Sequence, residues 1–135
     1  MPLAFQDALI ELMVATASAD VDISELELDR IGTLVGRLPV FSGYGHEGVA
    51  IAANRCADRI NGPDGLDGAL DEIIAVIPQR LHDTAYALAV EVAVVDLDLP
   101  QEQLRLLEMI RDRLTIDRLL TAAIEAAARA RMRRA

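Results

Sequence analysis

The sequence predicts an all-α fold of about seven helices in a single domain spanning 1–135, and three observations lead there. Apolar residues recur at helical spacing in seven segments, and no segment alternates long enough, or gathers a Val/Ile/Thr run between turn signals, to carry a sheet. The chain is 53% hydrophobic but only 3% aromatic with no Trp, so its core must be built from Leu, Ile, Val and Ala, which suits close helix packing. Finally, the chain repeats itself. Ala17-Ser18-Ala19-Asp20-Val21-Asp22-Ile23 returns as Ala93-Val94-Val95-Asp96-Leu97-Asp98-Leu99, and the same offset pairs Leu12 with Leu88, Leu28 with Leu104, Arg37 with Arg113 and Leu38 with Leu114. A duplicated helix–acidic turn–helix unit, about 3–38 and 79–114, accounts for the match. At 135 residues the domain is long enough to bury a sizeable core.

The first helix carries Phe5, Ala8, Leu9, Leu12, Met13 and Thr16 on one face, while Ile10, Val14 and Ala17 make the adjoining face apolar too, so it is covered on more than one side and ends near Ala19. Ser24 and Glu27 form a capping box for the second helix, in which Leu28, Ile31, Leu34, Val35 and Leu38 face the core until Pro39 stops it. Residues 39–45 read as a loop, packed onto the helices by Phe41 and Tyr44. A third helix presents Val49, Ala52, Ala53, Cys56, Ala57 and Ile60. Asn61-Gly62-Pro63-Asp64-Gly65 breaks the chain, and a short fourth helix with Leu70, Ile73, Ile74 and Ile77 ends before Pro78.

The fifth helix runs from about Gln79 to Val95. Between Ala85 and Val95 only Glu91 is charged, which predicts the most buried element and, with the first helix, the central layer. Pro100 fits the first turn of a sixth helix with Leu104, Leu107, Ile110 and Leu114 inward. The last helix spans about Asp117 to Arg134, with Leu120, Ala123, Ile124 and Ala127 inward.

Charge excludes one class of partner. The net charge of −9 repels a phosphate backbone, and the lack of aromatics leaves no stacking platform, so nucleic acid is not the ligand. Every basic side chain is Arg, and Arg129, Arg131, Arg133 and Arg134 crowd the C-terminal end, where cations complement the negative end of a helix. Cys56 stands alone, so no intramolecular disulfide forms. The N-terminal residues lack the basic region of a signal peptide, and the longest apolar stretch falls short of the ~20 residues a spanning helix needs. The expectation is a cytoplasmic protein with no direct membrane insertion.

The chemically promising groups are the two acidic turns: Asp20, Asp22 and Glu27 in the first copy, Asp96, Asp98 and Glu102 in the second. Short-spaced carboxylates and turn carbonyls are what hard divalent cations such as Ca²⁺ or Mg²⁺ take as ligands. Neither turn is an EF-hand, since the sixth and twelfth loop positions hold Glu25 and Ile31, then Gln101 and Leu107, instead of Gly and Glu. The same residues also serve as plain helix caps, each worth ~0.3–1 kcal/mol through the helix dipole. Both readings stand at this point. If a pseudo-twofold brings the turns together, their carboxylates repel unless a cation or water relieves them.

Ala19-Asp20-Val21-Asp22-Ile23-Ser24-Glu25-Leu26-Glu27 resembles the Ala-Asp-Gly-x-Ile-Ser-x-x-Glu signature of the tellurite-resistance protein TerB family, and 95–103 is similar to that family's second acidic turn. Asp20, Glu27 and Asp96 match by position. Val21 and Leu97 stand where the family has Gly, and Gln103 aligns with the family's Glu, with Glu102 one place early. The resemblance implies an all-helical, non-enzymatic bacterial protein associated with tellurite and general stress resistance. It further implies a divalent-metal site and an adaptor role between metal-binding partners and a membrane-associated stress complex.

The remaining groups carry less. His46 and His82 lack the i, i+4 pairing of a helical zinc site and read as surface or capping residues, while Cys56 reads as a small core side chain. No nucleophile–base constellation or phosphate loop is present, so an enzyme is not expected. The alternative to the metal-binding adaptor is a helical protein–protein interaction module whose acidic turns only cap helices. In either case the partners are proteins, and a homodimer could pair through the Ala-rich last helix.

Overall fold

The computed structural model describes residues 4–18, 25–93 and 101–134, and among these the chain is all-helical, with seven α-helices and no strand. In order they are α1 (Phe5–Ala17), α2 (Glu25–Arg37), α3 (Gly48–Ile60), α4 (Gly65–Val76), α5 (His82–Ala93), α6 (Gln101–Arg113) and α7 (Arg118–Met132). Single 3₁₀ turns, Pro39–Phe41 and Gln79–Leu81, precede the loop to α3 and the start of α5. Residues 79–81 therefore lie in a separate tight turn ahead of α5.

The centre of the fold is α1, which packs against α2, α3, α4, α5 and α6. Every residue from Ala8 to Ala17 is buried. At ~1.5–3 kcal/mol for each large aliphatic side chain taken out of water, Leu9, Ile10, Leu12 and Met13 make this helix the main source of hydrophobic stabilisation. This corrects the expectation that α5 would be the most enclosed. The fifth helix packs on α1, α6 and α7, and leaves Ala87 exposed and Glu91 half-exposed where no further helix covers it.

The remaining helices bury one stripe each. On α6 the stripe is Leu106, Leu107, Ile110 and Leu114, so Leu104, read as a core residue, is instead 42% exposed. On α7 it is Thr121 and Ala128 flanked by half-buried Ile124, Glu125 and Met132, while the predicted Leu120, Ala123 and Ala127 face solvent. Two polar anchors set that rotation. The Tyr86 hydroxyl donates to Glu125 at 2.5 Å with Arg111 at 3.2 Å on the same oxygen, and Arg131 pairs with Glu91. Asp117 is the N-cap, accepting from the backbone N–H groups of Leu119 and Leu120 at 2.6 and 3.2 Å. On α3, Ala57 also faces outward.

His82 is buried, which corrects the surface half of its reading, while the capping half holds, since it bonds the C-cap residue of α4. Its Nε2 donates to the Ile77 carbonyl at 3.1 Å, and its Nδ1 accepts from the Thr115 backbone N–H at 2.9 Å. Both ring nitrogens are thus used to join the α4–α5 connection to the α6–α7 connection, and the arrangement specifies the neutral Nε2–H tautomer. No helix among the described residues is long and apolar enough to cross a membrane.

Candidate functional site

Of the six acidic-turn residues, two lie in described helices. Glu27 is half-buried in the first turn of α2 and Glu102 is exposed in the first turn of α6, each where a negative charge complements the helix dipole. Asp20, Asp22, Asp96 and Asp98, with Ser24 of the capping box and Pro100, lie outside the described residues. Among the described residues no three His, Cys, Asp or Glu side chains gather where an ion could sit.

The helices that flank the turns meet crosswise. Gln103, in the first turn of α6, donates through Nε2 to the Thr16 carbonyl at the end of α1, 3.4 Å away. On the other diagonal, Glu91 near the end of α5 shares a groove of about 430 Å³ with Leu26, Asp29, Arg30, Thr33 and Leu34 of α2. The second helix of the second predicted unit thus begins beside the end of the first helix of the first, while α2 and the end of α5 line one groove. Gln103 holds the position that aligns with Glu27, so in the second copy this side chain is committed to a helix-to-helix tie.

A second polar cluster was not read from the sequence. Glu11 lies fully buried on α1, and its Oε1 receives the Arg59 Nε of α3 at 2.8 Å while its Oε2 has no hydrogen-bond partner among the described residues. Arg59 also reaches Glu72 of α4 through Nη1 at 2.5 Å. One turn earlier on α1, Asp7 accepts from the Tyr44 hydroxyl at 2.5 Å and lies 3.8 Å from Arg55. Tyr44 can approach because Gly48 leaves its α3 backbone bare; a Cβ there would collide with the phenol oxygen.

Electrostatics follow from this burial. Desolvation, reinforced by the hydrogen bond to Asp7, pushes the Tyr44 phenol above its ordinary value. The Cys56 thiol is pushed up to about 12 by burial, with the charge of Glu11 adding to the effect and Arg59 opposing it. Its Sγ–H donates to the Glu11 backbone carbonyl at 3.4 Å, so Cys56 is a neutral core side chain, as read, and not a nucleophile. The signal for Glu11 was available: a carboxylate between Ile10 and Leu12, in a helix apolar around most of its circumference, has no solvent-facing side to occupy.

Compared with models of protein families, with curated proteins and with solved structures, the chain matches none.

Proposed function

We propose that this chain is a non-enzymatic stress-response protein of the TerB kind, in which the paired acidic turns hold one divalent cation and the helical body presents a surface to protein partners. The observation that carries the reading is the Gln103–Thr16 hydrogen bond, which brings the chain into α6 at the point where it leaves α1. Asp20 lies four residues beyond Thr16, and Asp98 five before Gln103, so each turn adjoins one partner of this bond in sequence, which supports the reading. In this reading the carboxylates of the two turns come together and repel at neutral pH, and a hard cation with Asp20, Asp22, Asp96 and Asp98 as oxygen donors, Glu27 and Glu102 flanking, relieves that repulsion. Ca²⁺ or Mg²⁺ fits this donor set better than a thiolate- or imidazole-seeking metal.

The second reading, an interaction module with capping acids only, has one feature in its favour. Leu26 is 69% exposed at the rim of the groove that Leu34 and Met132 line. The double variant Asp20→Ala, Asp96→Ala separates the two. The metal reading expects it to stay helical by circular dichroism and to lose any response to added cation; a preserved response rules the site out.

A further inference from the structure

The strongest unabsorbed feature is Glu11. An ionised carboxylate taken fully out of water costs several kcal/mol unless it is both paired and completely hydrogen-bonded. Glu11 meets half of that requirement. Arg59 engages Oε1 alone, and its guanidinium, 23% exposed, divides its charge with Glu72. The groups facing Glu11 are Asp7 from its own helix, Arg55, Cys56 and Arg59 from α3, Glu72 by way of Arg59, and Tyr44 by way of Asp7. From the other helices packed on α1 the core receives apolar side chains such as Ile31, Leu88 and Leu106. Asp7 adds a like charge on the same helical face, and Arg55 opposes it at longer range. The thiol of Cys56 is used on the backbone carbonyl of Glu11 and leaves the carboxylate unaided.

We propose that Glu11 is a proton-binding site built into the fold: on mild acidification the folded domain takes up a proton at this carboxyl, which removes an incompletely compensated buried charge and stabilises the folded domain. Arg59 keeps Glu72 as its partner when Glu11 is neutral. Burial outweighs the attraction of Arg59 and lifts the carboxyl above the ordinary 4.5. Between that unfolded-chain value and the raised folded value the native state binds more protons than the unfolded one. This contribution therefore strengthens as pH falls through the raised value and levels off below the ordinary one. It runs against the usual acid destabilisation that comes from carboxylates paired in the native state.

The test is thermal unfolding of the full chain and of Glu11→Gln, which mimics the protonated form, from about pH 8 to about pH 5. The proposal expects Glu11→Gln to be at least as stable as the parent near pH 8, with the parent catching up as the pH falls. A constant difference across the range, or a parent that gains on the variant as pH rises, overturns it. Should the variant not fold, ¹³C NMR of the glutamate carboxyls in the unaltered protein decides. One buried resonance titrating above the rest supports the proposal; all glutamates titrating at or below the ordinary value contradict it.

Discussion

Gln103 and Thr16, in different copies of the predicted repeat unit, are joined side chain to backbone: the Gln103 amide donates to the Thr16 carbonyl at 3.4 Å. That carbonyl belongs to the last turn of α1, where helix carbonyls have no intrahelical donor and need an external one. The bond therefore completes α1 and fixes where α6 begins. Its length puts it at the weak end of the ~0.5–1.5 kcal/mol a net intramolecular hydrogen bond contributes.

Replacing Gln103 by Ala is expected to cost less than about 1 kcal/mol in urea unfolding. On the proposed reading the same change weakens the response to divalent cation by more than that loss of stability explains, because the bond between the ends of α1 and α6 that flank the turns is gone. Cation titration of the variant checks this. An unaltered titration would show that this bond does not position the turns.

Arg59→Met leaves Glu11 buried without its cation. Breaking a buried pair by removing one partner costs ~3–5 kcal/mol, and that loss is expected near pH 8. The penalty should shrink as the pH is lowered to about 5, because burial raises the Glu11 carboxyl and a proton there leaves less charge stranded. Urea unfolding at both pH values checks it; an equal loss at both would mean that Glu11 stays ionised throughout.

His82→Phe keeps the ring but removes both nitrogens, stranding the Ile77 carbonyl and the Thr115 N–H. An unsatisfied buried group costs ~1–3 kcal/mol; Ile77 is buried and Thr115 exposed, so a loss of about 1 kcal/mol or more is expected in chemical denaturation. A variant within about 0.5 kcal/mol of the parent would show that water replaces the imidazole at both positions.

How far the sequence could be read depended on what decides each feature. Helix number and type were legible because Pro39, Asn61–Gly65 and Pro78 punctuate the apolar periodicity, and chain-local signals are enough to place such breaks. The facing of α7 was not. Its Leu120 stripe is the more hydrophobic, yet the helix is turned by partners distant in sequence, with Tyr86 and Arg111 drawing Glu125 inward and Glu91 taking Arg131. The burial of His82 was missed for the same reason, since Thr115, which donates to its ring, lies far along the chain. Glu11 differs, because its burial followed from the apolar circumference of α1, and only its partner Arg59 needed the fold. Of the acidic turns, Glu27 and Glu102 occupy the helix starts that their spacing implied, and the four aspartates fall outside the described residues.

The central claim is that two copies of one acidic turn act together as a single cation site. Its most direct test is thermal unfolding of chelator-treated protein with and without millimolar Ca²⁺, Mg²⁺, Mn²⁺ or Zn²⁺ at fixed ionic strength, which removes general screening. A ligand present at a hundred times its dissociation constant stabilises by ~2.7 kcal/mol. The account therefore predicts a rise of several degrees with Ca²⁺ or Mg²⁺, lost in the Asp20→Ala, Asp96→Ala variant. No shift with any of the four ions would contradict it and leave the acidic turns as helix caps.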